Sequence, residues 1–161
     1  MKKILCLFFV LFTALIIQTT VIDIARIYNI KPDLLLLTVI FLGFIYGKKV
    51  GIIAGLVGGG FTDIAVGSYI GLSIISYMAA GYLAGAGGNN FYKDNVFVAA
   101  VICVASTILS QSLYFLLLQL LIVNIDLFEG IKIIVAVALY NCVLAFTTYK
   151  WFYRFCMKFE D

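Results

Sequence analysis

Glycine recurs at every fourth position through the middle of the chain. The run is Gly43, Gly47, Gly51, Gly55 and Gly59, then Asp63 in the glycine's place, then Gly67 and Gly71. The residues between them are almost all apolar. In water such a segment makes a poor helix, because each interior glycine costs about 1 kcal/mol relative to alanine. In a bilayer an unpaired backbone has no water to turn to, so the helix is enforced by its own hydrogen bonds. The glycines then leave flat strips on which another helix backbone can approach closely. The pattern predicts a tight contact between helices, against a neighbouring span or a partner helix, with a carboxylate set into its track.

Composition sets the environment of that contact. Of 161 residues, 65% are hydrophobic and 12% charged, and the mean hydropathy is +1.16. Soluble domains carry about 45–50% apolar and about 25% charged residues. The expected fold class is therefore an all-α integral membrane protein, a single transmembrane domain over residues 1–161. Six apolar stretches fall at about Ile4–Ile22, Asp33–Tyr46, Val50–Val66, Tyr69–Ala86, Val96–Ile122 and Ile131–Tyr149. A helix needs about 20 apolar residues to cross the hydrocarbon core. The second, third and fourth stretches are shorter than that, so the second and third could instead form a re-entrant pair. The fifth is long and must tilt or protrude. The first stretch exceeds an ordinary signal-peptide core and no A-x-A-like site follows it, so it is expected to be a retained span. Pro32, the lone proline, stands just before Asp33 at the start of the second stretch, a position that suits a helix start.

Charge placement predicts the orientation. With the N-terminus in the cytoplasm, the inner segments hold Lys2, Lys3, Lys48, Lys49, Lys93, Lys150, Arg154 and Lys158, and the outer ones only Arg26, Lys31 and Lys132. That bias favours a multi-pass protein of the cytoplasmic membrane with both termini inside. It also accounts for the net charge of +3 without invoking nucleic acid. At the C-terminal end Lys150, Arg154 and Lys158 recur at a spacing of four among Trp151, Tyr153, Phe155 and Phe159. This mixture is expected as an interfacial anchor, or as a docking surface for anionic lipid or an acidic partner.

The polar residues inside the apolar stretches are few. Asp63 is the acidic residue set well within one, about 5 Å of helix rise from its outer end. It is read as a structural, register-fixing group near Gln18, Thr19 and Gln119, with a partner-binding or ion-coupling role as the alternatives. Ser106, Thr107, Ser110, Gln111 and Tyr114 lie on one face of the fifth stretch. Gln111 and Asn141 are expected at equal depth on adjacent helices, as a core polar pair.

Cys6, Cys103, Cys142 and Cys156 form no C-x-x-C pair and read as small packed hydrophobes. Histidine is absent, which removes His-based relays and the common His-containing metal sites. Neither a phosphate-binding G-x-x-x-x-G-K loop nor a G-x-S-x-G elbow occurs. No catalytic residue, cofactor or metal is expected, and the chain reads as a non-enzyme.

The centre as a whole carries a resemblance. Pro32-Asp33-Leu34-Leu35-Leu36 opens the second stretch, Gly47, Gly51, Gly55 and Gly59 lead to Asp63, and Gly67 and Gly71 lead to Tyr77, Gly81, Tyr82 and Gly85. With the basic N-terminus, six spans and tiny loops, this resembles the MreD family, the small integral membrane proteins of the bacterial rod-shape complex. The resemblance covers residues 31–85 in its motifs and the rest in length and hydropathy. It implies a non-catalytic inner-membrane scaffold in lateral peptidoglycan synthesis. The implied partners are MreC and, with it, MreB, RodZ, RodA and a penicillin-binding transpeptidase. It also implies a bundle similar to the substrate-binding subunits of energy-coupling-factor vitamin transporters, and that transport role is the alternative function. Those subunits often carry an A-x-x-x-A-like pair on the first helix. Here Ala14 is followed at that spacing by Gln18, a departure that favours the shape-complex reading.

Overall fold

A computed structural model describes residues 2–20, 33–66, 71–90, 93–121 and 126–158. It is all-helical over those residues, with α1 (Lys2–Thr20), α2 (Leu34–Tyr46), α3 (Lys48–Val66), α4 (Leu72–Asn90), α5 (Val96–Leu120) and α6 (Leu127–Lys158). One helix answers to each apolar stretch, and the differences lie at the ends. Gly47 alone makes the turn between α2 and α3, with φ of 92°, a conformation that costs glycine little. Consequently α3 starts two residues earlier than expected, at Lys48. The basic and aromatic C-terminal segment continues α6 as helix instead of leaving it, so that α6 reaches 32 residues, about 48 Å. By length and apolarity α5 and α6 are both able to cross a bilayer.

α2 is the axis of the molecule. It has 13 residues, about 20 Å of rise, and every residue from Leu35 to Ile45 is buried. A helix that is apolar all round belongs in a core, and α2 touches each of the other five helices. Around it α1 packs on α3, α3 on α4, α4 on α5, and α5 on α6. The outward faces are apolar as well, with Ile53, Leu56 and Ile64 exposed on α3, Phe97, Val101 and Leu116 on α5, and Leu139, Val143 and Phe146 on α6. A surface of that kind suits a lipid solvent.

Both ends of this buried axis need partners for their free backbone groups. At the start, Asp33 Oδ1 accepts from Leu36 N at 3.0 Å, and Gln18 Oε1 on α1 accepts from Leu35 N at 2.8 Å. At the other end Lys93, from the segment before α5, donates through Nζ to the Ile45 carbonyl at 2.7 Å. The Lys93 carbonyl in turn accepts from the Tyr149 hydroxyl on α6 at 2.6 Å. Phe41, Phe44, Tyr149 and Phe152 close round this end as a ring cluster, with centroids 5.1 to 5.9 Å apart.

Candidate functional site

α3 and α4 run antiparallel at backbone contact. A Cβ added to Gly55 would stand 2.6 Å from Met78 N and Cα, and one on Gly59 would stand 2.5 Å from Ile74 Cα and 2.6 Å from Ser73 O. Gly51 faces the Gly81 carbonyl and Gly81 faces the Gly51 carbonyl, both too close for any side chain, while a Cβ on Gly85 would meet Lys48 N at 2.5 Å. Each step of four along α3 thus meets a step of four back along α4. The seam widens into a three-helix junction where a Cβ on Gly43 of α2 would meet Gly81 O at 2.6 Å and Gly51 Cα at 3.3 Å. Gly88, near the end of α4, lies against the Phe44 carbonyl.

The fourfold run in the sequence is therefore several devices in succession. Gly51, Gly55 and Gly59 form the α3 side of the seam. Gly47 is a turn, and Gly71, with φ of 108° and no neighbour within 4 Å of a built Cβ, is the left-handed residue that leads into α4. Gly67 lies outside the described residues.

Asp63 completes the seam at its far end. It is 3% exposed, and its two oxygens accept from Gly71 N at 2.7 Å and Ser73 N at 3.1 Å. A carboxylate on α3 thus caps the first turn of α4, where free N–H groups and the positive end of the helix dipole favour it. The side chains expected around it are engaged otherwise. Gln18 bonds Leu35 N, Thr19 bonds the Leu15 and Ile16 carbonyls of its own helix, and Gln119 is exposed. Among the described residues the partners of Asp63 are backbone N–H groups, because the start of α4 lies beside the end of α3.

A second carboxylate, which the sequence marks only as the opening of the second stretch, joins this end. Asp33 Oδ2 accepts a short hydrogen bond from the Tyr77 hydroxyl, which also lies 3.4 Å from Thr62 Oγ1. Tyr77 is 4% exposed. Asp33 on α2, Thr62 on α3 and Tyr77 on α4 are so linked through one hydroxyl, with Gln18 of α1 capping the same helix start as Asp33. The signal was present in the sequence, since Asp33 stands one residue before an apolar run as an N-cap should. Its tie to Tyr77, 44 residues on, carried no local signature.

Between α5 and α6, Asn141 Nδ2 donates to Thr107 Oγ1 at 3.3 Å. The expected pairing with Gln111 is thus displaced by one turn of α5, and Gln111 is half-buried. Counting depth from the helix ends placed Asn141 too far out, because α6 begins four residues before the apolar stretch that marked it. Ser106 and Ser110 are buried on the same helix. At the C-terminal end of α6, Lys150, Arg154 and Trp151 are exposed, Trp151 by 82%. Lys158 is the last residue of that helix.

The sequence model of one protein family, described as rod shape-determining protein MreD, matches residues 1–159. The chain belongs to the MreD family. No curated protein and no solved structure gives a match. Membership makes this a membrane protein of a family concerned with rod-shape determination. In this MreD family member the seam, the two carboxylates and the capped axis are what its most distinctive residues build. Among the described residues no group of three or more Cys, Asp or Glu side chains converges to hold a metal. The chemistry present is hydrogen bonding and close packing, which fix the relative positions of α1 to α4.

Proposed function

We propose that the chain is a non-catalytic scaffold of the bacterial cell-shape complex. In this reading it is a bundle of six spans with both termini in the cytoplasm, linking MreC and the wall-synthesis machinery to the cytoplasmic MreB system. The observation that carries it is the glycine seam. Backbone contact along α3 and α4, closed by Asp63, makes a rigid unit out of helices joined by very short links. Among the described residues little lies outside the helices, so in this reading partners bind chiefly through helix faces. Gly51, Gly55 and Gly59 are occupied by α4, which leaves the exposed apolar sides of α3, α5 and α6 for that purpose.

The test is complementation of cell shape in rod-shaped bacteria depleted of their own MreD, combined with recovery of MreC from mild detergent. Restored rods and recovered MreC are the expected result. Round cells despite normal membrane abundance of the protein would refute the proposal. Recovery with transporter ATPases in place of MreC would turn the assignment to a vitamin-transporter subunit.

A further inference from the structure

An apolar groove of about 220 Å³ opens between α5 and α6, lined by Phe97, Ala100, Val101, Val104, Cys142 and Phe146. We propose that this groove, together with Lys150 and Arg154, four and eight residues beyond Phe146 on α6, is a binding site for an anionic phospholipid. The inference rests on the inward orientation of the α6 C-terminus given above, which places the site in the cytoplasmic leaflet.

Three observations converge on that occupant. The first is depth. No charged residue lies between Lys132 and Lys150 of α6, a rise of about 27 Å, close to the ~30 Å of a hydrocarbon core. Lys150 therefore stands at headgroup level. Phe97 and Phe146, whose rings are 6.5 Å apart, lie about one turn inside it. The groove runs from there to Val104, about 10 Å deeper, within one leaflet.

The second is continuity. Cys142, Phe146, Lys150 and Arg154 follow one another at a spacing of four, so the wall of the groove and the basic side chains form one slanted strip of α6. Both basic residues are exposed, and long side chains of this kind reach along apolar surface to a charged partner. The third is charge. At this end of the molecule the described residues include Lys48, Lys49, Lys93, Lys150 and Arg154 against Asp94 alone. An acyl chain in the groove with its phosphate on Lys150 and Arg154 satisfies the apolar wall and the basic rim together.

The test uses the full chain purified in mild detergent and delipidated. It is titrated with phosphatidylglycerol or phosphatidylethanolamine of identical acyl chains, with bound lipid counted by native mass spectrometry. The wild type should favour phosphatidylglycerol. Each of Lys150→Gln and Arg154→Gln should lower that preference by about fivefold, while Lys132→Gln, at the other end of α6, should leave it unchanged. Val101→Trp, which fills the groove from an exposed position, should reduce retention of both lipids. Equal retention of the two lipids by the wild type would overturn the proposal, as would full preference in the Lys150→Gln, Arg154→Gln double variant. Val101→Trp that keeps both lipids but loses a co-purifying membrane protein would assign the groove to a partner helix, and also overturn it. Binding by the purified chain does not depend on a role in cell shape, so failed complementation and failed lipid preference are separate results.

Discussion

Gly55→Ala is the sharpest perturbation available, because it adds one methyl group at a point where only backbone is present. The new Cβ would lie 2.6 Å from Met78 N, Met78 Cα and Tyr77 C, about 1 Å inside ordinary carbon contact distance. None of these atoms can rotate away, so α3 and α4 must separate. A gap of 0.5–1 Å forfeits about a quarter to a half of each contact's dispersion energy, and forced overpacking costs about 1–3 kcal/mol. Alanine returns up to about 1 kcal/mol through better helix propensity, so a net loss of about 1–2 kcal/mol is expected. Gly60→Ala supplies the control on the same helix. Its nearest neighbour would be Ile74 Cδ1 at 4.0 Å, so only the propensity gain remains. The assay is thermal unfolding of the purified protein in mild detergent, followed by loss of the monodisperse peak in size-exclusion chromatography. At about 2–4 °C per kcal/mol for a chain of this size, Gly55→Ala should melt about 2–8 °C below wild type and Gly60→Ala at or above it. Gly55→Leu should lower membrane abundance and fail to restore cell shape. Equal melting of the two alanine variants would refute the seam as a determinant of stability.

Asp63→Asn keeps one acceptor oxygen for Gly71 N or Ser73 N and leaves the other N–H unpaired, at a cost of about 1–3 kcal/mol. Asp63→Ala leaves both N–H groups unpaired at about 1–3 kcal/mol each. The two variants should separate clearly in the same melting assay, and equal loss would point to a need for the charge. Tyr77→Phe removes the hydroxyl shared by Asp33 and Thr62 and should cost about 1.5–3 kcal/mol; unchanged melting would show that link to be idle. A double-mutant cycle of Thr107→Val with Asn141→Leu should give a coupling of about 0.6–2 kcal/mol, whereas Gln111→Leu with Asn141→Leu should be additive. In a cysteine-free background, a probe at Asp126 should be labelled from outside the cell and one at Asp94 should not, and the reverse pattern would invert the orientation.

Helix number and rough position were legible because hydropathy reports them directly, and the small-residue spacing pointed to close helix contact. What the sequence could not show was the partner at each position. Gly81, Gly85 and Gly88 lie on α4 opposite Gly51, Lys48 and Phe44, and nothing local to either strip states which two strips meet. The same holds for Asp63, whose acceptor oxygens found backbone N–H groups instead of the side chains at equal depth. Asn141 shows the sensitivity to boundaries, since an error of four residues in the start of a helix moves a polar partner by one turn, from Gln111 to Thr107. In the sequence Lys93 reads as a basic residue of a cytoplasmic segment, yet its ammonium closes the end of a helix 48 residues earlier.

That last contact bears on how the protein is made. α2 leaves the ribosome after α1, and at 13 residues it is shorter than the about 20 needed to cross a hydrocarbon core. Its start is tied by Gln18 of α1, which already exists, but its far end waits for Lys93, and Lys93 is itself held by Tyr149 of the last helix. The axis of the molecule is thus fastened at one end early and at the other only once α6 has been made. Until then the Ile45 carbonyl lacks the fixed partner it has in the finished protein. Loss of Tyr149 should therefore be felt first as a shortened lifetime of newly made chains, before it is felt as a weaker mature protein.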